Sequence, residues 1–278
     1  TVMTPREIAS LYGTHDRMRG GGWLKLRPGQ VTDDTTLTLA LGHAILAAGR
    51  VDARAIACAF DDWMRAKPVD IGNTVRRGIL HFRTSGMPRV PYDEQGAGNG
   101  AAMRVLPAAL VSLYRPEAEV RAICRLQARV THHHPLSDAA CEYLGLMLQD
   151  ALTGAGKTHR LLNRAHVLAA EHPEFAFRGA RRVNPSGYVV ETLQAVLQAL
   201  FDTDDFHDCL VDVVNRGGDA DTTGAIAGML AGALYGMEAL PRTWLDALDP
   251  AIVRACTSQA HALLALAQTA EWPPVRFA

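Results

Sequence analysis

Gly217-Gly218-Asp219-Ala220-Asp221-Thr222-Thr223-Gly224 opens an apolar run in which Gly228, Gly232 and Gly236 continue a four-residue spacing. Residues four apart share one face of a helix, so the run reads as a helix with a glycine stripe. Three interior glycines cost such a helix about 3 kcal/mol against alanine. Close approach of another helix, or of a ligand, has to offset that. The run is about 13 residues, short of the ~20 that span a bilayer. A buried helix with an acidic, hydroxyl-bearing N-terminus follows, and the chain around it takes the same character.

A single Asp at that N-terminus is explained as a cap. Asp-x-Asp-Thr-Thr behind two glycines is more than a cap requires. Two carboxylates this close repel unless a cation lies between them. The donors are all oxygen, which suits Mg²⁺, Mn²⁺ or Ca²⁺ over Zn²⁺. A second acidic group is therefore expected. Thr32-Asp33-Asp34-Thr35 supplies it, at the head of a stripe of Leu37, Leu41, Ile45 and Ala48 that Gly49 ends. The Asp-x-Asp-x-Thr spacing also fits haloacid-dehalogenase-type phosphohydrolases. That motif needs a hydrophobic strand running into its first Asp, and here Asn215-Arg216-Gly217-Gly218 intervene.

The rest of the chain has helical spacing throughout. Thr4, Pro5 and Glu7 form a capping box with a first-turn proline. Gly20 to Gln30 reads as a loop. Asp52 caps a helix of Ile56, Phe60, Trp63 and Met64. Asp70 stands as a third acidic group at the start of a helix through Val75, Ile79 and Phe82. Gly96-Ala97-Gly98-Asn99-Gly100 precedes an expected helix with Met103, Leu106, Leu110 and Leu113. Glycines before a helix make a nest of N–H donors suited to phosphate. Further helices are expected over Glu117–Val130, Leu136–Leu152, Thr158–His172, Val189–Phe201, Asp205–Val214 (capped by Thr203) and Ala251–Gln268. Pro241 and Pro250 bracket a linker, and a tail carries Pro273-Pro274. The sum is an all-α chain, 1–278, forming a single compact domain of ten or more helices.

Composition narrows the partners. The 278 residues are 48% hydrophobic and carry a net charge of −1, so no overall basic field recruits nucleic acid. No membrane span or signal peptide is visible. The five cysteines lie in apolar helical patterns without a Cys-x-x-Cys pair and read as buried thiols of a reduced, cytoplasmic protein. His132-His133-His134 invites a metal reading, yet adjacent histidines on an extended segment point to alternate sides and no His-x₃-His pair exists. One or two are expected to face a polar pocket and the rest to be solvated. A monomer is the expected state, since no apolar stripe stands unpaired.

Together, Val31–Thr35, Val69–Thr74, Gly98-Asn99-Gly100-Ala101-Ala102-Met103-Arg104, Thr131–Ala139, Ser186-Gly187-Tyr188 and Gly217–Gly224 resemble the ADP-ribosylglycohydrolase family, in family order over nearly the whole chain. The resemblance implies an all-α fold holding two divalent metal ions, Mn²⁺ or Mg²⁺, and removal of ADP-ribose from an arginine of a modified protein. In the branch most resembled, that protein is dinitrogenase reductase, and control runs through PII-type signalling proteins and peripheral membrane sequestration. It also implies that Thr32, Asp33, Asp34, Asp219, Asp221 and Thr222 lie on the metals. Asp34 and Asp70 would do the catalytic work. Asn73, Gly98, Asn99, Gly100, His132, His134 and Tyr188 match substrate-pocket positions. Family members usually carry, further upstream, a helix with a Gly-Asp-x-x-Gly motif and then a metal-site Glu. These residues begin Thr1-Val2-Met3-Thr4-Pro5, with no such stretch. A metal-bearing module that binds ADP-ribose without hydrolysing it is the alternative.

Overall fold

In a computed structural model, side chains cap helix starts at Thr4, Asp52 and Asp205 by accepting from the backbone N–H three residues on. The structure describes residues 2–154 and 157–269; the Pro273-Pro274 tail lies outside them. The described residues form thirteen α-helices and no sheet. In chain order they are α1 (Pro5–Tyr12), α2 (Asp33–Ala48), α3 (Ala53–Arg65), α4 (Asn73–Ser85), α5 (Leu106–Val111), α6 (Glu117–Ala128), α7 (Pro135–Thr153), α8 (Lys157–Glu171), α9 (Val189–Asp202), α10 (Phe206–Val214), α11 (Ala220–Tyr235), α12 (Arg242–Ala247) and α13 (Pro250–Thr269). Among the described residues, no helix is long and apolar enough to cross a membrane.

The backbone groups into two compact units, one of Thr1–Val31 with Asp150–Val253 and one of Thr32–Gln149 with Arg254–Ala278. In the first, α9, α10 and α11 pack on one another. Helix α9 is buried along nearly its whole length, from Val189 to Leu200. The glycine stripe of α11 faces α10. A β-carbon at Gly224 would lie 3.3 Å from Val214 Cγ1, one at Gly228 3.8 Å from Leu210 Cδ1, and one at Gly232 3.9 Å from Phe206 Cε2. The close approach that the stripe demands is thus made by a helix presenting Phe206, Leu210 and Val214 four residues apart. In the second unit, α2 packs on α3 and α5, and α3 on α4 and α6. Leu37, Leu41 and Ile45 of α2 and Ile56 and Phe60 of α3 are fully buried there.

Several local expectations are corrected. The helix expected through Met103 to Leu113 is only α5, because Pro107 has no N–H to continue the turn over Ala101–Arg104. The glycine loop therefore leads into a turn and not into a helix N-terminus. Thr203 does not cap α10: its hydroxyl donates to Ala199 O at 2.7 Å, and Asp205 accepts from Asp208 N at 2.7 Å instead. The linker between Pro241 and Pro250 contains α12, whose Trp244 Nε1 donates to Asp16 O at 3.0 Å. Of the cysteines, Cys58 and Cys256 are exposed; Cys124, Cys141 and Cys209 are buried.

Candidate active site

In the second unit the acidic pair opens α2. Thr32 is extended, at φ −106° and ψ −167°, and its carbonyl accepts from Thr35 N and Thr36 N at 3.2 and 3.1 Å. Its hydroxyl does not cap the helix but donates to Asp34 Oδ2 at 2.9 Å. Thr32, Asp33 and Asp34 are each less than 10% exposed. Buried carboxylates on consecutive residues repel strongly in a low-dielectric setting. A divalent cation among hard oxygen donors offsets that repulsion, so this group fits Mg²⁺ or Mn²⁺.

The substrate-pocket candidates of this unit converge on the glycine loop. Asn73 begins α4 behind Gly72, which occupies the cap position. Asp70 stands in the preceding extended segment and accepts from Ile71 N at 2.8 Å. The first turn of α4 lies against the loop, since a β-carbon on Gly100 would sit 3.0 Å from Val75 Cγ2. One on Gly98 would sit 3.6 Å from Thr74 Oγ1.

The imidazole of His132 fills the loop's other side, 3.1 Å from a β-carbon at Gly98 and 3.2 Å from one at Gly100. It is 1% exposed and hydrogen-bonded through Nδ1 to Thr131 Oγ1 at 2.8 Å. Burial, with Arg104 and Arg77 nearby, pushes its pKa well below the ordinary 6.5, so it is neutral. His132 is therefore not one of the solvated histidines. His133 pairs through Nδ1 with Val90 O at 3.0 Å, and His134 Nδ1 accepts from Leu136 N at 3.1 Å at the start of α7. Each histidine has its own structural partner at Nδ1.

In the first unit the Asp219 turn is held by two neighbouring segments. Gly217 and Gly218 have φ +72° and +66°, where glycine is favoured. A β-carbon at Gly218 would overlap Pro185 O, and one at Gly217 would overlap Met3 O. Gly218 N donates to Met3 O, Asp219 N to Pro185 O (both 2.8 Å), and Asn184 N to Arg216 O at 2.7 Å. The structure thereby brings the Ser186-Gly187-Tyr188 turn to the Asp219 turn. Asp219 is the N-cap of α11, Asp221 lies in its first turn, and Thr222 is 5% exposed. This donor set is again oxygen alone and fits the same ions.

Tyr188 caps α9 with its backbone and leaves its side chain 39% exposed. Ser186 donates from its hydroxyl and its N–H to Glu191 Oε2, at 2.6 and 2.9 Å, which holds the turn and lowers the Glu191 pKa.

Sequence reasoning gave no role to Arg216, which is 1% exposed. It donates to Asp212 Oδ2 at 2.9 and 2.6 Å and to Gln198 Oε1 at 2.5 Å, anchoring the segment that carries Asp219. The pattern Arg-Gly-Gly-Asp held a signal for it, since a glycine turn needs an anchor. Among the described residues, a group of metal-capable side chains also occurs at Asp205, His207 and Asp208. All three are exposed and serve the N-terminus of α10, where Asp205 caps and His207 stacks on Trp244 at 5.3 Å.

Comparison with known proteins gives one consistent result. The ADP-ribosylglycohydrolase family pattern matches residues 1–273. A Rhodospirillum rubrum protein named ADP-ribosyl-[dinitrogen reductase] glycohydrolase is 50% identical over 266 residues, 95% of this chain and 89% of its own. ADP-ribosylarginine hydrolase Tri1 of Serratia proteamaculans is 34% identical over 83% of this chain; the match spans 66% of that relative, just under two thirds of its length. A solved structure described as an "ADP-ribosylglycohydrolase-related protein complex" superposes with a TM-score of 0.80 at 35% identity, covering 91% of this chain and 87% of the other.

Proposed function

The chain belongs to the ADP-ribosylglycohydrolase family, and we propose that it hydrolyses the N-glycosidic bond joining ADP-ribose to an arginine of a modified protein. The observation that carries this is 50% identity over 95% of the chain to the Rhodospirillum rubrum glycohydrolase. Dinitrogenase reductase is the protein substrate that this relative's name supports, and a PII-type protein is a candidate regulator. A monomer that reaches the membrane only through a partner completes the reading.

The acidic groups supply the metal ligands: Thr32, Asp33 and Asp34 at the head of α2, and Asp219, Asp221 and Thr222 at the head of α11. Divalent cations held by such ligands would supply Lewis acidity toward a ribose hydroxyl and toward water. Asp34 or Asp70 takes a proton from that water as its oxygen bonds to ribose C1. The C1–N bond breaks through an oxocarbenium-like transition state, and the proton passes to the departing guanidine nitrogen. Free ADP-ribose and an intact arginine result.

The substrate-binding residues of the second unit are Asn73, Gly98, Asn99, Gly100, His132 and His134; in the first unit, Tyr188 offers an exposed ring suited to stacking on a base or ribose. The test is release of ADP-ribose from an ADP-ribosyl-arginine protein with Mn²⁺ and with chelator. Metal-dependent release is expected. Binding of ADP-ribose with no release at saturating Mn²⁺ overturns the hydrolase in favour of a binding module.

A further inference from the structure

Arg104 is fully buried, and no carboxylate partners it among the described residues. A buried guanidinium without a countercharge is costly, so the position needs what a planar donor fork alone provides. Nε donates to Gln127 Oε1 at 2.9 Å and one terminal nitrogen to Gln127 O at 2.9 Å. The other terminal nitrogen donates to Gly100 O at 3.1 Å. The ring of Phe60 lies 4.6 Å from the guanidinium carbon. Burial lowers its pKa to about 9, which leaves it a cation at neutral pH.

Arg104 is one of three groups that pull the same loop inward. Ser137 Oγ lies 3.1 Å from both Gly96 O and Gly98 O, and Gln127 Nε2 donates to Ala101 O at 3.1 Å. In a trans peptide the N–H points opposite to the C=O. Holding the carbonyls of Gly98 and Gly100 on the buried side therefore sets the N–H groups of Asn99 and Ala101 on the other. Two backbone N–H groups, two residues apart and turned to the same side, suit an anion.

We propose that Arg104 is a positioning residue of the hydrolysis: by gripping Gly100 O from the buried side, it fixes the Gly98–Gly100 turn so that its N–H side receives the diphosphate of the ADP-ribosyl group. The inference rests on the hydrolase reading.

The test compares the full chain with Arg104→Met and Arg104→Lys. Arg104→Met removes the fork and the charge while filling the space. Its KM for an ADP-ribosylated protein should rise about tenfold, the loss of one charge-assisted hydrogen bond's worth of loop order, with kcat little changed. Amide hydrogen exchange over residues 98–101 should quicken in the same variant. Arg104→Lys keeps the charge and one donor, and should recover part of both effects. If Arg104→Met does not fold, Arg104→Lys decides, with an intermediate KM and faster loop exchange expected.

Unchanged loop exchange and KM in a folded variant overturn the proposal. So does a fall of kcat in proportion to melting temperature, with KM unmoved. If the wild type releases no ADP-ribose, the hydrolase reading fails by itself, and loop exchange still reports whether Arg104 holds the turn.

Discussion

The His132 imidazole fills the space that a side chain on Gly100 would need: a β-carbon at position 100 would lie 3.2 Å from His132 Cε1. On its other side it would meet Val75 Cγ2 at 3.0 Å. Neither neighbour retreats easily, because His132 is tied to Thr131 Oγ1 and Val75 is 1% exposed in α4. Gly100→Ala should therefore cost about 1–3 kcal/mol, as overpacked sites do. The check is the urea midpoint, together with ADP-ribose affinity. A variant that matches the wild type in both shows that the ring gives way freely.

His132 also makes stability depend on pH. In the unfolded chain it titrates near its ordinary 6.5, whereas in the folded protein it stays neutral well below that. As pH falls below 6.5, the unfolded state takes up a proton that the folded state does not, so acidification favours unfolding. The loss continues down to the lowered folded pKa, at up to about 1.4 kcal/mol per pH unit for one group. Burial and the nearby Arg19 also lower the His15 pKa, and that contribution is common to wild type and variant. Urea unfolding at pH 7.5 and 5.5 should show a smaller drop in His132→Gln than in the wild type, by about 1 kcal/mol. Equal drops in the two proteins would count against a neutral, buried His132.

The glycines of the 217–236 run differ in what they do. Gly228 meets only Leu210 Cδ1, at the ordinary distance of 3.8 Å. Gly228→Ala should stabilise by about 0.5–1 kcal/mol through helix propensity alone. Gly224→Ala meets Val214 Cγ1 at 3.3 Å, which should cancel that gain. Gly218→Ala combines φ +66° with overlap of Pro185 O, and should lose about 3 kcal/mol or more. Thermal melts of the three variants should rank 228 above 224 above 218; any other order would refute the assignment of close contact to Gly224 and of the obligatory turn to Gly218.

These contrasts also mark what the sequence made legible. Helix starts at Thr4 and Asp52 are readable because the capping side chain and its backbone partner are three residues apart. The glycine stripe of α11 announced that something must pack closely, though not that α10 would supply Phe206, Leu210 and Val214 to meet it. Thr203 and Asp205 both had capping chemistry; the Thr203 hydroxyl is taken by Ala199 O of α9, and Asp205, next to the first residue of α10, accepts from Asp208 N.

Arg104 was legible as the last residue of the Gly98–Arg104 motif, but its role was not. Its chief partner is Gln127, twenty-three residues away. The burial of His132 was not legible either, since it depends on the glycines at 98 and 100. The acidic pairs were legible as chemistry because like charges this close need a cation. The side chains that hold those pairs in place were not.

The metal reading has a consequence of opposite signs in one variant. Asp33 and Asp34 are consecutive buried carboxylates in the first turn of α2. With chelator present, their mutual repulsion weakens the native state; a bound divalent ion reverses that and adds its own binding energy. A ligand at a hundred times its Kd stabilises by about 2.7 kcal/mol. Asp33→Asn keeps the shape and removes one charge. It should melt higher than the wild type in chelator, because a repulsion has gone, yet gain less from Mn²⁺, because a ligand has gone. The measurement is a pair of melting curves for each protein, with chelator and with excess Mn²⁺. A variant that melts lower in chelator and keeps the full Mn²⁺ increment would show that Asp33 serves the fold and not the metal. The crossing of the two effects is what distinguishes a ligand pair from a helix cap, since losing a cap lowers both curves alike.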